Sequence, residues 1–329
     1  MRGGKRASEG GEGIPARSWT HDASGRFQPP GDLALEMGVV TAVEHRPVLC
    51  REATELLAPR PGGVTVDGTV GLAGHAEGVL EFTEGRGRLL GIDLDESAVE
   101  RARERLARFG DAATLVQGNF AELDSILGGG VVDGILLDLG VSSLQLDDPT
   151  RGFSFRFDAP LDMRMSPSLP RTAADLLRES TEEELERIFR EYGEERHARK
   201  IARGIGRTRG KGLDSTRALA EFVERLLGRR ERIHPATRVF QALRIAVNGE
   251  LDNLKKFLER FDRHLGSGGR VAIISFHSLE DRLVKHAFAA GAREGRLRIL
   301  TKKPVRPSRE EILENPRARS AKLRAAEKS

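Results

Sequence analysis

The stretch VTVDGTVGLAGH, residues 64–75, joins a short apolar strand to the start of a helix through a glycine-rich loop. Its glycines recur at three-residue spacing, at Gly68, Gly71 and Gly74. A strand that passes through glycines into a helix is the arrangement by which an open parallel sheet brings its backbone against a nucleotide-like ligand. A side chain at these positions would block the ligand or forbid the turn. The stretch therefore predicts a doubly wound α/β fold with a ligand site at this loop.

On both sides of the loop, apolar runs of strand length alternate with helical patterns. The predicted strands cover residues 64–67, 88–93, 113–117, 131–138 and 270–276, and the helices between them 74–84 and 96–109. Continuous apolar strands between helices are typical of a parallel sheet that is covered on both faces. A helical pattern from Pro235 to Leu265 precedes the last strand, and residues 266–269 (GSGG) are expected to end that helix. The run SAKLRAAEK, residues 320–328, predicts an edge strand with one solvated face.

Residues 148–245 differ in character from the predicted sheet. After an irregular segment, four helical patterns follow at 173–178, 182–192, 195–205 and 216–227. Thr181 and Glu184 have the spacing of a capping box at the start of the second pattern. We therefore predict a discontinuous sheet domain, 45–147 and 246–329, interrupted by a mostly helical insertion over 148–245. Residues 1–44 lack apolar periodicity and predict a disordered tail, with Met37 as an alternative start.

Composition excludes several classes of protein. The only cysteine of the 329 residues, Cys50, cannot form an internal disulfide, and no Cys/His spacing suggests zinc. The apolar runs are far shorter than the ~18–20 residues that a membrane span needs. No charged start leads into the apolar stretch of a signal peptide. These features predict a cytoplasmic protein without a metal.

Charge is divided unevenly along the chain. Residues 45–145 carry 9 Lys and Arg against 16 Asp and Glu, whereas residues 196–244 carry 14 against 4. An acidic sheet region and a basic insertion are expected of a protein that holds a phosphate backbone beside a separate small-ligand site. Compositional bias is the alternative.

Two strand ends predict an adenosine site. Asp93 ends the second strand, nineteen residues after Gly74, where its carboxylate could accept hydrogen bonds from a ribose diol. Phe120 follows the third strand and could lie against an adenine ring, with core packing as the alternative. NAD and S-adenosylmethionine both contain adenosine. The loop lacks the G-x-G-x-x-G form, and the negative charge of this region favours a sulfonium cation over a pyrophosphate.

The fourth strand ends in a second polar group, DLGVSSLQ, residues 138–145. The carboxyl ends of strands in an open α/β sheet face the ligand crevice. Asp138 ends an apolar strand, where a carboxylate is costly to bury unless it has a partner, so a functional role is expected. Ser142 and Gln145 add hydrogen-bonding groups to the following loop. A turn cap is the alternative for Ser142.

Long motifs of the chain resemble one known family, the bacterial 16S rRNA (cytosine-N4)-methyltransferases. They extend over residues 45–328 and include DGTVGLAGH (67–75), GILLDLGVSS (134–143), RGFSF (151–155), YGEER (192–196), HPATR (234–238), ISFHSLED (274–281) and ENPRAR (314–319). The resemblance implies a Rossmann-like, S-adenosylmethionine-dependent methyltransferase sheet whose helical insertion recognises RNA. Ala73 stands where the family usually has glycine, and Leu144 where it has proline. The extra methyl of Ala73 is expected to change ligand affinity modestly.

The resemblance also implies a site and a reaction. The implied S-adenosylmethionine ligands are Ala73, Gly74, His75, Asp93, Phe120, Asp138 and Gln145. The implied reaction is N4-methylation of a cytosine in the decoding region of 16S rRNA, with the small ribosomal subunit as partner. No metal and no membrane are implied, and a homodimer is left open.

The chemistry of an exocyclic amine indicates what the site has to supply. Its lone pair is delocalised into the ring, so an enzyme has to hold the nitrogen in line with the methyl group and accept hydrogen bonds from its N–H groups. Asp138 and Ser142, with the carbonyls of their loop, are the candidate catalytic acceptors. No catalytic role is predicted for the other titratable candidates, which are His75, His234 and His277.

A target base in RNA has to leave its stack before it can react. Phe153, Phe155 and Phe157 could stack on such a base, with core packing of the insertion as the alternative. Two other functions stay open. A ribosome-assembly factor without turnover would not need an intact glycine loop, Asp93 and Asp138. A DNA amino-methyltransferase would carry an Asp/Asn/Ser-Pro-Pro-aromatic motif where this chain has DLGV.

Overall fold

The computed structural model describes residues 47–142, 145–146, 148–228 and 234–329, together with two dipeptides nearer the amino terminus. These are strands β1 (Thr20–His21) and β2 (Phe27–Gln28), which pair antiparallel within a unit of residues 1–45. Residues 46–329 form a second compact unit. The predicted disordered tail, 1–44, and the alternative start at Met37 otherwise lie outside the described residues.

A seven-stranded sheet forms the centre of the second unit. Its strands are β3 (Val64–Asp67), β4 (Arg88–Asp93), β5 (Ala113–Gln117), β6 (Val132–Asp138), β7 (Leu265–Ser275), β8 (Leu297–Ile299) and β9 (Lys322–Lys328). The order across the sheet is β5-β4-β3-β6-β7-β9-β8. Strands β3 to β7 are parallel, and β9 is antiparallel to both of its neighbours. The chain changes direction across the sheet between β3 and β6, and a ligand crevice is expected at the carboxyl ends of such a pair.

Helices cover both faces of this sheet. One face packs against α1 (Cys50–Leu57), α2 (Gly74–Phe82) and α3 (Glu96–Leu106). The other packs against α4 (Leu123–Leu127), α10 (Glu250–Leu258) and α11 (Ser278–Arg293). Helix α12 (Arg309–Glu314) precedes β9. The doubly wound, Rossmann-like fold predicted from the alternating pattern is confirmed, and none of the described helices is long and apolar enough to cross a membrane.

The intervening helices have an apolar core of their own. They are α5 (Ala173–Glu179), α6 (Glu182–Glu191), α7 (Ala198–Thr208), α8 (Thr216–Leu227) and α9 (Ala236–Asn248). The buried members of this core lie between residues 153 and 243, and none comes from the sheet. The capping box of Thr181 and Glu184 is confirmed at the start of α6. Since residues 46–329 form one compact unit, the domain boundaries at 148 and 245 stay a prediction.

Ion pairs and hydrogen bonds fasten this helical insertion to the rest of the chain. Glu194, in the loop between α6 and α7, accepts hydrogen bonds from Ser278 Oγ at 2.6 Å and from Arg282 at 2.9 Å, both on α11. The Arg151 guanidinium donates to Asp95 Oδ2 at 3.0 Å, just before α3. The same guanidinium donates to the carbonyls of Arg164 and Met165 at 3.0 and 2.9 Å. Glu194 and Arg151 therefore tie two different parts of the insertion to the sheet domain.

The prediction of one helix from Pro235 to Leu265 is wrong. The chain breaks at Gly249, with φ +60°, between α9 and α10. Asn248, just before the break, is buried and donates from its amide to the carbonyl of Met163 at 2.8 Å. Residues 266–269, expected to end the helix, instead lie within β7.

The prediction of a solvated edge strand at residues 320–328 is also wrong, because β9 lies between β7 and β8. The charged side chains that suggested solvent have partners on α11. Lys322 Nζ lies 3.0 Å from Asp281 Oδ2, and Arg324 Nε lies 2.7 Å from Asp281 Oδ1. The alternating charges of β9 therefore indicate a strand face that pairs with the Asp281 carboxylate of α11. The edge strand on this side of the sheet is β8, which was not predicted from the sequence.

Candidate functional site

The glycine-rich loop after β3 is bonded to both neighbouring strands. The Gly68 N–H donates to Leu136 O at 2.9 Å, and the Val70 N–H donates to Ile92 O at 2.8 Å. A Cβ at Gly68 would lie 2.4 Å from Leu137 Cδ2, and one at Gly74 would lie 2.9 Å from Pro47 Cγ. A side chain at either position would therefore displace atoms of the protein itself, whereas the sequence pattern was attributed to the ligand and the turn.

Ala73 precedes α2 with φ +60°, in the left-handed region that favours glycine. Its side chain is fully buried in the apolar cluster that contains α1 and α2. Glycine adopts this backbone conformation more readily than alanine does. Gly74 follows as the first residue of α2.

Asp93 organises the same loop. Its Oδ2 accepts a hydrogen bond from the Gly71 N–H at 2.9 Å, and its Oδ1 accepts one from the Asp95 N–H at 2.9 Å. Burial raises the pKa of Asp93 to about 6, in spite of these two hydrogen bonds. Each carboxylate oxygen has a second lone pair, so the group can still accept a hydrogen bond from a ribose diol.

Asp95 is a buried site residue that sequence reasoning missed. Besides capping α3 through the Ser97 N–H, it accepts a hydrogen bond from Gln145 Nε2 at 3.2 Å and pairs with Arg151 at 3.0 Å. Although burial raises it, the hydrogen bonds from Ser97 and Gln145 and the charge of Arg151 give Asp95 a net lowered pKa. Its position two residues after Asp93, before a helix, was the available signal.

Gln145 and Ser142 close a turn with each other. Gln145 Oε1 accepts from the Ser142 N–H at 3.1 Å, and Ser142 Oγ accepts from the Gln145 N–H at 3.3 Å. Both ends of the Gln145 amide are therefore used inside the protein. The hydroxyl of Ser142 acts here as the turn cap that the sequence analysis named as the alternative to catalysis.

Asp138 lies at the carboxyl end of β6, beside this loop. Its N–H donates to Thr69 Oγ1 at 2.6 Å, and its Oδ2 lies 3.6 Å from His75 Nδ1. Among the described residues, its buried Oδ1 has no hydrogen-bond partner. Burial, and then the charge of Glu280, raise the pKa of Asp138 to about 8. An oxygen that is buried without a partner, in a crevice, is suited to a ligand.

Carboxyl groups crowd the floor of the crevice. Asp67, at the end of β3, is buried, and burial raises its pKa to about 7 against the opposing charge of His75. The charges of Asp138 and Asp93 raise the pKa of Asp67 further. Burial lowers the pKa of His75, whose Nε2 donates to Val48 O at 2.9 Å. Such a floor favours a cationic ligand, since a positive charge stabilises the ionised carboxylates.

The aromatic candidates pack mainly within the protein. The half-buried Phe120 ring meets Phe257 edge to face, with 5.8 Å between ring centroids. Phe153 is buried, and Phe155 contacts Phe240 at 4.9 Å between centroids. Phe157 is the exposed member of the three phenylalanines that were candidates for stacking, with 57% of its surface accessible.

The two remaining histidine candidates cap helices. His234 Nδ1 accepts from the Ala236 N–H at 3.2 Å at the start of α9. His277 Nδ1 accepts from the Glu280 N–H at 3.3 Å at the start of α11. His277 also belongs to a group with Glu250 and Glu280 whose potential metal-ligand atoms lie within 4.8 Å of one another.

Ion pairs and a helix cap within the protein account for this group. Because His277 Nδ1 accepts the cap hydrogen bond, its Nε2 carries the hydrogen, and Nε2 lies 3.1 Å from Glu280 Oε1. Arg244 binds both carboxylate oxygens of Glu250, at 2.8 and 2.7 Å. Burial raises the pKa of Glu280, but the hydrogen bond and charge of His277 and the charge of Arg244 outweigh it and lower that pKa overall. A protonated nitrogen is not a metal ligand, so no metal site is assigned here.

The strand order, the glycine-rich loop and the carboxyl groups at the ends of β3, β4 and β6 define a doubly wound α/β protein with a candidate ligand site. The chain belongs to the MraW methylase family, whose model matches residues 42–329. This membership confirms the resemblance noted in the sequence.

Relatives cover nearly all of this region. The chain is 53% identical over 306 residues to "Ribosomal RNA small subunit methyltransferase H" of Geobacter sulfurreducens. The aligned region covers 86% of this chain and 98% of that protein. Proteins of the same name from Trichlorobacter lovleyi and Heliobacterium modesticaldum are 51% and 48% identical, each with 86% of this chain and 98% of the relative covered.

Replacing Asp93 by alanine is expected to weaken S-adenosylmethionine binding by roughly 1.5–3 kcal/mol, because a charged acceptor for the ribose is lost. The Gly71 N–H of the loop also loses its acceptor. Isothermal titration calorimetry on the folded variant measures the loss. The exposed Asp111, in the same domain, provides the control Asp111→Ala, which should bind normally. Unchanged affinity of the Asp93 variant would place this carboxylate outside the ligand site.

Proposed function

We propose that the protein transfers the methyl group of S-adenosylmethionine to N4 of a cytosine in the decoding region of 16S rRNA. The single observation that carries the proposal is the unpartnered carboxylate oxygen of Asp138 at the carboxyl end of β6. It lies where a cofactor held by the β3 loop and a target amine would meet. The names of the relatives support an rRNA substrate in the small ribosomal subunit. We place the reaction in the cytoplasm.

The residues present fit the cofactor. Asp93 would accept hydrogen bonds from its ribose, and the loop at Ala73, Gly74 and His75 would lie against its amino-acid end. Phe120 would border the adenine, and Gln145 would hold Asp95 and the loop after β6 in place. When bound, S-adenosylmethionine supplies a methyl group on a positively charged sulfur. We include no metal, because that sulfur already makes the methyl group an activated donor.

Asp138 would orient the acceptor. Its carboxylate can accept a hydrogen bond from an amine N–H, which localises the nitrogen lone pair toward the methyl group. Ser142 and the carbonyls of the loop after β6 would accept from the second N–H. For Ser142 this needs its oxygen to be shared with the Gln145 N–H that it accepts in the structure.

The helical insertion would hold the RNA. Within the insertion, we favour the carboxyl-terminal part of α7 as the surface that contacts the phosphates. Arg203, Arg207 and Arg209 are exposed there. Arg203 Nε lies 3.5 Å from Glu182 Oε1, and both side chains are partly exposed to solvent, so this ion pair contributes little stability. Phosphates can therefore compete for these side chains at little expense in folding free energy.

Reversing the charge of Arg207 and Arg209 to glutamate is expected to weaken RNA binding and leave cofactor binding unchanged. Each lost phosphate contact should also lower the slope of log affinity against log salt by about one unit. Filter binding at several salt concentrations measures both effects. Arg86→Glu is a matched control, since Arg86 is exposed just before β4, at the amino ends of the parallel strands and away from the candidate site. Equal losses in the control would indicate a general charge effect and no binding surface on α7.

Transfer of a labelled methyl group tests the function directly. Small ribosomal subunits, naked 16S rRNA and DNA are each incubated with the protein, and the nucleosides are then analysed. N4-methylcytidine from the subunit or its rRNA is expected. No transfer with intact RNA binding would favour an assembly factor, and a labelled base in DNA would favour a DNA methyltransferase. Sedimentation of the free protein tests the open question of a homodimer.

A further inference from the structure

We propose that Asp138 and His75 form a pair that holds one proton, releases it when the cationic cofactor binds, and takes up the proton that the acceptor amine loses. The inference deepens the proposed function and rests on it, since it needs a sulfonium donor and an amine acceptor. It assigns a destination for the proton of the reaction and gives His75 a positioning role.

The hydrogen bonds of His75 indicate that it shares one proton with Asp138. The partner of Nε2 is the Val48 carbonyl oxygen at 2.9 Å, which can only accept, so Nε2 carries a hydrogen. Nδ1 faces Asp138 Oδ2 at 3.6 Å. If both facing atoms lacked a proton, two lone pairs would repel each other inside the protein. One proton, on the carboxyl group or on Nδ1, removes that repulsion.

The charged groups around the pair favour keeping this proton before a ligand binds. Acidic groups approach from three elements, Asp67 on β3, Glu280 on α11 and Glu311 on α12. Arg244 on α9 is bound to Glu250 and acts on Glu280. Asp138 Oδ1 has no hydrogen bond from the described residues that would stabilise a carboxylate. Burial and Glu280 raise the pKa of Asp138 to about 8, in agreement with this geometry.

A bound sulfonium reverses the preference. A positive charge beside Asp138 favours its ionised form, so the pair loses its proton to solvent on binding. In the transfer step, the lone pair of the amine nitrogen forms the N–C bond, and the C–S bond breaks with its electron pair left on sulfur. The sulfur becomes neutral, and the nitrogen becomes positively charged. The nitrogen then gives its proton to the Asp138 carboxylate and keeps the N–H bonding electrons.

The neutral thioether product no longer favours the ionised carboxylate. The pair therefore regains its affinity for a proton at the moment when the methylated amine becomes acidic. This gives one carboxylate two uses in sequence, as a partner of the positive charge before transfer and as the proton acceptor after it.

Proton release on binding tests the proposal without any turnover. S-adenosylmethionine and S-adenosylhomocysteine, which lacks the methyl group and the charge, are titrated calorimetrically into the full-length protein at pH 7. Each titration is repeated in two buffers of different ionisation enthalpy. We expect the charged ligand to release about one proton more than the neutral one, because a group with pKa near 8 is mostly protonated at pH 7.

The pH dependence follows with the same sign. Below pH 8, each lowering of the pH by one unit should reduce the affinity for S-adenosylmethionine about tenfold relative to that for S-adenosylhomocysteine. Above about pH 9 the difference in proton release should vanish, since the pair is already ionised there. This wild-type comparison needs no variant that might fail to fold.

Asp138→Asn is expected to abolish the difference between the two ligands. Asp67→Asn is the comparison variant: Asp67 also has a raised pKa at the same sheet edge, and its loss should reduce the difference far less than the loss of Asp138 does. Equal proton release by both ligands in the wild type, or a difference that follows Asp67, would overturn the inference and leave the proposed function standing. A protein that binds neither ligand would overturn the proposed function, and this inference with it.

Discussion

Asp138→Asn is expected to lower the single-turnover rate of methyl transfer at saturating cofactor by about 10²–10³-fold. The amide keeps the shape of the side chain but has one acceptor oxygen, and its NH₂ would oppose the N–H groups of the target amine. It also removes the proposed destination of the proton. The lost interaction is strongest as charge develops on the nitrogen, so the rate should fall more than the cofactor affinity does.

The matched control for this variant lies on the same strand. Asp133 is exposed near the amino end of β6, where its Oδ2 accepts from the Val64 N–H at 2.8 Å. Asp133→Asn keeps an acceptor oxygen there and should leave the rate unchanged. If Asp138→Asn has an unchanged rate and a raised cofactor dissociation constant, Asp138 is confined to binding. The chemistry would then move to the loop that contains Ser142.

Gly152→Ala is expected to lower the free energy of unfolding by about 3 kcal/mol, the combined size of left-handed strain and of overpacking. Gly152 has φ +72°, and an added Cβ would lie 2.3 Å from Pro160 O and 2.8 Å from Asp162 N. These are backbone atoms, so they cannot move aside as the end of a side chain can. Urea unfolding measures the loss, and the neighbouring Arg151 should lose its alignment with Asp95.

Gly212→Ala separates the two causes. Gly212 also has a positive φ, +75°, but an added Cβ there would meet no atom within 4 Å. Only backbone strain remains, and we expect a loss of roughly 1 kcal/mol. Equal losses for the two variants would show that the contacts with Pro160 and Asp162 relax, and that the strained φ determines the effect.

The sequence predicts the centre of the sheet better than its margin. The structure has β3, β4 and β5 with the predicted bounds, because each is a continuous apolar run that ends at a charged or polar residue. Strand β8 has three residues, too few for a periodic pattern. Gly249 breaks a helical pattern whose apolar face continues on both sides, so periodicity alone indicates one helix.

The candidate site divides in the same way. Asp93 and Asp138 could be predicted because the topology of a parallel sheet brings strand ends to one edge. The contact of Asp95 with Arg151 joins residues 56 positions apart, and the bond from His75 to Val48 joins residues 27 apart. No spacing rule connects such partners. Their pairing depends on how the insertion and the first segment of the chain fold onto the sheet.

The contacts of Arg151 and Glu194 with the sheet domain leave little room for a hinge between the insertion and the sheet. If Arg151 moved away, the buried carboxylate of Asp95 would lose its cation, and if Glu194 moved, Ser278 and Arg282 would lose their acceptor. Uncovering a buried charge is costly, so these ends of the insertion stay in register with the crevice. The distance from the arginines of α7 to Asp138 is then fixed by these contacts. If RNA binds as proposed, it would have to present its phosphates and its extruded base at that spacing, and the selection of a site would depend on the shape of the RNA as much as on the identity of the base.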